Sequence, residues 1–164
     1  MDPTEIIISR VLKAIQEGQT IGLGNGIPQL IRPHLGASIQ VVELPQDPES
    51  PSIDLMIVEA LEISQQGDLV LTSDPDLENL QPHQWIVATL HLRENGEAKI
   101  VQTCHLPVSH SSCAPTIVTE LGVMKITDVG LVLEEVAPGI STDDVKSQTG
   151  ASIHVADDIK VMEL

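Results

Sequence analysis

The chain has 164 residues, enough for one domain with a sizeable core, and its 24 acidic and 8 basic residues leave a formal net charge of −16. That balance excludes binding to nucleic acid or to an anionic membrane, since both need basic surface. Hydrophobic residues make up 41% of the chain, yet there is no Phe, no Tyr and one Trp, so Ile, Val, Leu and Ala must build the core, as in the buried strands of an α/β sheet.

Asp2 reads as an N-cap and Pro3 as a first helical residue. Ile7, Ile8, Val11, Leu12 and Ile15 repeat at helical spacing, and Gly18 stands where a C-cap belongs. Gln19 to Leu23 is a short buried strand that runs into Gly22-Leu23-Gly24-Asn25-Gly26-Ile27-Pro28. Alternating glycines at a strand end let backbone approach a ligand or another chain. The spacing is neither the dinucleotide fingerprint nor a P-loop. The same loop also reads as a mere tight strand-to-helix turn. Ile27 to Leu35 is a short helix bent at Pro33, and Ser38 to Glu43 is a strand.

Leu44 to Ser52 holds three prolines and is a loop. A strand runs from Ile53 to Ile63, and Ser64 to Gly67 is a turn. A second acidic loop spans Ser73 to Gln84. Trp85 to Arg93 and Ala98 to Thr103 flank Glu94-Asn95-Gly96-Glu97, a hairpin signal. Pro115 to Leu121 reads as a helix. Val123 to Ile126 and Leu131 to Val136 are strands either side of Thr127 to Gly130. Ser141 caps a last helix that Gly150 ends, and Ser152 to Val155 is a final strand. Strands alternating with helices predict an α/β fold, one domain over 1–164, with a three-layer α/β/α open sheet, mostly parallel, and some antiparallel hairpins.

The order of five phrases carries a resemblance: Gly22 to Pro28; Lys99-Ile100-Val101-Gln102-Thr103-Cys104-His105-Leu106-Pro107; Ile117 to Val123; Gly130 to Gly139; and Asp144-Val145-Lys146 with Thr149-Gly150-Ala151. In this order they resemble the small (β) subunit of the two-subunit 3-oxoacid CoA-transferases. Ile53-Asp54-Leu55 through Ile63 is similar to that family too. The resemblance implies a large (α) subunit partner, an assembly that is a hetero- or homo-oligomer, and acyl-CoA and a small carboxylic acid as substrates. It implies a glutamate nucleophile and no cofactor beyond coenzyme A as substrate. The family's nucleophile closes the strand after the glycine loop, within Ser-Glu-Asn-Gly. Glu43 stands at that position, followed by Leu44-Pro45 in place of Asn-Gly. A later glycine-rich loop corresponds to Ser73–Gln84, which has no glycine, and a Gly-Ala-Met phrase corresponds to Glu59-Ala60-Leu61.

Glu43 is therefore the candidate nucleophile, with an ordinary strand-end surface acid as the alternative. Gly22, Gly24, Asn25 and Gly26 are the candidate CoA-binding residues. Glu94-Asn95-Gly96 imitates the catalytic phrase, but turn geometry accounts for it. Cys104, His105, His110 and Cys113 offer zinc-type ligands without ligand spacing, so no metal site is expected, and Cys104 reads as a small buried side chain. The acidic start, Met1 to Glu5, and the lack of a membrane-length apolar run lead to a cytoplasmic expectation. The departures at the catalytic phrases leave two further readings: an interaction or regulatory subunit with impaired catalysis, and a stand-alone small-ligand binder.

Overall fold

The structure is a computed structural model that describes residues 1–71, 75–77 and 79–164. Helix α1 (Pro3–Ala14) opens on a capping box: the Asp2 carboxylate accepts from the Glu5 N–H at 2.9 Å, and the Glu5 carboxylate accepts from the Asp2 N–H at 3.0 Å. It ends at Ala14, short of Gly18, whose φ of +81° belongs to the following turn. Strand β1 (Thr20–Leu23) feeds the glycine loop and α2 (Ile27–Ile31), which tightens into a 3-10 turn, Arg32–His34, at Pro33. Strand β2 (Gln40–Val42) is shorter than expected and stops one residue before Glu43.

The stretch Ile53 to Ile63 is not one strand. It divides into β3 (Leu55–Val58) and β4 (Glu62–Ser64), which belong to different sheets. Then follow β5 (Leu69–Val70), β6 (Gln84–Ala88), β7 (Ile100–Val101), β8 (Thr116–Val118), β9 (Gly122–Thr127) and β10 (Gly130–Val136). The chain closes with α3 (Thr142–Ser147) and β11 (Ile153–Val161), a strand longer than its apolar start suggests. The helix expected over Pro115 to Leu121 is instead β8. Its Thr116-Ile117-Val118-Thr119 run is β-branched throughout, which favours extended backbone. The hairpin around Asn95-Gly96 is reduced to one bridge, Leu92 to Ala98, because β6 joins the main sheet and β7 the small one. The β9–β10 pair is a true antiparallel hairpin.

The main sheet has eight strands in the order β11-β10-β9-β8-β6-β3-β1-β2. All neighbours are parallel except β8–β9 and β9–β10. A three-stranded sheet, β5-β4-β7, packs separately. Side-chain alternation sends Leu55, Ile57, Ile86 and Ala88 to the face covered by α1 and α2, where Ile7, Val11, Ile27 and Ile31 pack. Met56, Val58, Trp85 and Val87 face the opposite way, toward Ile63, Leu69 and Ile100 of the small sheet and Val145 of α3. Both faces of the open sheet are thus covered, one by two helices and one by the small sheet with a short helix. No helix among the described residues is long and apolar enough to cross a membrane.

Candidate functional site

Strands β1, β2, β3, β6 and β8 run in one direction and end on one edge of the sheet, the edge where open α/β sheets place their sites. Just past those ends stand Gly24-Asn25-Gly26 after β1, Glu43 after β2, Glu59 after β3, Thr89 after β6 and Thr119-Glu120 after β8. A cleft of about 400 Å³ opens between the ends of β1 and β2, with Gly24, Asn25, Gln29, Arg32, Glu43 and Asp76 on its walls. Residues distant in sequence as a loop and a strand end therefore share one cavity. Ser73, part of the acidic loop assigned to the same region, lies outside the described residues.

Within the cleft, the Glu43 carboxylate is 79% exposed and pairs with Arg32, itself 40% exposed, at 3.0 Å. The Gln29 amide donates to the carbonyls of Leu23 and Gly24, each at 3.1 Å, and so pins the first half of the glycine loop. The four candidate loop residues have different surroundings. A Cβ on Gly22 would stand 2.5 Å from the Met56 Sδ, so this glycine answers core packing inside β1 and does not line the cleft. Gly24 donates its N–H to the Ile57 carbonyl at 2.8 Å and lies against Val58, a close approach to β3 that still leaves it on the cleft wall. Asn25 lines the cleft as well. Gly26 has φ +83°, and a Cβ there would collide with the Glu59 carboxylate, which lies directly over it.

A second polar group follows along the same edge, and the sequence reading missed it. The Lys99 ammonium donates to the Thr89 hydroxyl at 2.7 Å. Burial lowers the Lys99 pKa, partly offset by the nearby charges of Glu59 and Glu120. His91 is buried among hydroxyls: its Nδ1 is 2.9 Å from Thr119 Oγ1 and its Nε2 is 2.9 Å from Thr149 Oγ1. Thr149 donates its own proton to the Val145 carbonyl at 2.7 Å, so its oxygen accepts from His91 Nε2–H, and Nδ1 is left to accept from Thr119. Burial, then the charge of Lys99, lowers the His91 pKa to about 4, and the imidazole is neutral. These residues have no spacing signal; sheet order alone assembles them.

Glu62 forms a third cluster, on β4. Its side chain is fully buried and accepts from the backbone N–H groups of His105 and Leu106 at 2.9 and 2.7 Å, from His105 Nδ1 at 2.9 Å, and from Arg93 at 3.2 Å. Burial pushes this carboxyl up, but the bonds from His105 and Leu106 and the Arg93 charge pull it further down, below the usual range. The four residues weighed as metal ligands each have other partners. His105 serves Glu62, and His110 donates Nε2–H to the Leu77 carbonyl at 2.8 Å with its ring 4.7 Å from Trp85. Cys104 is half-buried, against the Asp68 carbonyl, which corrects its reading as a buried side chain. Burial, with the charge of Asp68, pushes the Cys113 thiol up to about 11. Glu94 is exposed at its turn.

No family profile matches the chain. The acetate CoA-transferase subunit beta of Haemophilus influenzae is 37% identical over 79 residues, 48% of this chain and 35% of that protein. The chain thus spans about a third of that relative's length in the match. The probable coenzyme A transferase subunit beta of Bacillus subtilis is 24% identical over an alignment covering 92% of this chain and 94% of its own length. Among solved structures, an acyl-CoA transferase apoenzyme from Escherichia coli O157:H7 superposes with a TM-score of 0.76 at 16% identity, over 99% of this chain and 43% of that one. The decarboxylase AibA/AibB gives 0.74 at 15% identity, over 99% and 89%. The names of these relatives agree with the resemblance drawn from the sequence, and the solved structures share the chain's open sheet. In sequence the chain is similar to CoA-transferase β subunits, and it shares the fold of solved CoA-transferases.

Proposed function

We propose that this chain is the small subunit of a CoA-transferase and that, with a large subunit, it moves CoA between an acyl-CoA and a carboxylic acid. The observation that carries the proposal is the single cleft that joins Glu43 to Gly24 and Asn25 at the carboxyl ends of β1 and β2. A Glu43 carboxylate oxygen attacks the thioester carbonyl carbon, the C–S bond breaks, and the CoA thiolate leaves a mixed anhydride. The thiolate then attacks the Glu43 carbonyl carbon, the first acid departs as its carboxylate, and a glutamyl–CoA thioester remains. The acceptor carboxylate reverses both steps and leaves as the new acyl-CoA. Coenzyme A is a substrate here, and no further cofactor enters. The proposed assembly is an oligomer with the large subunit, located in the cytoplasm.

A second reading is an interaction or regulatory subunit that keeps the fold and has lost catalysis. The Arg32–Glu43 ion pair favours it, since a paired carboxylate is a poorer nucleophile. Co-expression with the large subunit and an acyl-CoA exchange assay decide between the two. Exchange that falls about 10⁴-fold in Glu43→Gln, with hydroxylamine trapping at Glu43 in the wild type only, is the expected result. A folded complex that shows no exchange and binds no CoA establishes the regulatory reading.

A further inference from the structure

Glu59 stands one strand beyond the glycine loop from Glu43. Glu43 follows β2, Glu59 follows β3, and β1 lies between them. With neighbouring strands about 4.8 Å apart, the two strand ends are separated by about 10 Å. The ground between them is Gly24-Asn25-Gly26, where two of three residues have no side chain. The Glu59 carboxylate lies over Gly26, at the far end of this path. An acyl group held on Glu43 and lying along the loop therefore points its far end at Glu59.

The charge at that end is negative. Glu59 is half-buried. Lys99 feels Glu59, Glu120 and Arg93, and Arg93 is itself paired with the buried Glu62 at 3.2 Å, so these five groups sum to one negative charge. Among the described residues Lys99 makes no ion pair, and its ammonium donates to Thr89. Glu59 is thus incompletely neutralised, and a second carboxylate brought beside it in a partly desolvated place meets like-charge repulsion. A hydroxyl or an ammonium in the same position finds an acceptor.

We propose that Glu59 determines which acids the site takes: short acyl groups whose far end carries a hydroxyl or an ammonium are accepted, and acids with a second carboxylate are turned away. This selectivity rests on the CoA-transfer reading of the Glu43 cleft.

The test is acyl-CoA exchange by the complex with the large subunit, using 4-hydroxybutyrate, 4-aminobutyrate and succinate as acceptors. The wild type should favour the first two over succinate by about tenfold or more in kcat/KM, mainly through KM. In Glu59→Gln, which keeps the side-chain volume and removes the charge, this ratio should shrink to within about threefold. Equal use of all three acids by the wild type overturns the inference and leaves the transferase reading in place, with no variant required. An unchanged ratio in a folded Glu59→Gln complex does the same. Absence of exchange with every acid removes the transferase reading itself, and the selectivity with it.

Discussion

Arg10 and Glu135 meet in two parallel hydrogen bonds, Nε to Oε1 at 2.9 Å and Nη2 to Oε2 at 2.7 Å, across 125 residues of chain. Both side chains are 17% exposed, and the pair fastens α1 to β10, the first helix to the last hairpin. The hydrogen bond to Glu135 is the largest of the effects that raise the Arg10 pKa. Removing one partner leaves the other partly buried and unmatched. Arg10→Ala should cost about 2 kcal/mol, and the double variant with Glu135→Ala less than the sum of the singles. Urea titrations of the four proteins measure the coupling; additive losses would show that the pair contributes nothing as a pair.

Arg32 and Glu43 make a different sort of pair. Both are largely exposed, so screening leaves them little to give the fold. Arg32→Gln should leave stability within about 0.5 kcal/mol of the wild type. A larger loss in thermal unfolding would make the pair structural and weaken Glu43 as a candidate nucleophile.

Two buried groups give the stability a pH dependence. Burial, then the charge of Lys99, lowers the folded pKa of His91 to about 4, against the ordinary 6.5 that holds in the unfolded chain. Its contribution is complete above the unfolded value and drains away as pH falls from about 6.5 to about 4, because only the unfolded chain takes up the proton; the total is about 3 kcal/mol. The folded pKa of Glu62 is also lowered, so its contribution is present above the unfolded value of about 4.3 and is lost as pH falls through the lower folded value. Denaturation midpoints should fall in two stages, and His91→Asn should remove the upper one. An NMR titration that puts the His91 pKa near that of a free imidazole contradicts this.

Gly22 and Gly26 should respond differently to alanine. At Gly22 the added methyl meets Met56 and Ile53 inside the core, and overpacking costs about 1–3 kcal/mol. At Gly26 the methyl meets the Glu59 carboxylate and the φ of +83° disfavours any side chain. Glu59→Ala should relieve part of the second penalty and none of the first. Equal relief in both backgrounds, read by chemical denaturation, would count against the contact between Glu59 and Gly26.

What the sequence alone determined was whatever its neighbours along the chain decide. The Asp2 N-cap, the strand-to-glycine-loop-to-helix passage at Gly22–Pro28, the β9–β10 hairpin and the Ser141 cap all depend on contacts within a few residues, and all stand where the residues put them. The placement of Glu43 at a strand end was legible for the same reason, although the strand stops at Val42. The helix expected at Pro115–Leu121 is instead a strand, because its β-branched run pairs with β6 and β9. Only the tertiary structure could join Thr89, His91, Lys99, Thr119 and Thr149, or lay Glu59 over Gly26. Those meetings depend on which strands lie side by side, and strand order follows from burying both faces of the sheet at once, a condition on the whole chain that no local stretch contains.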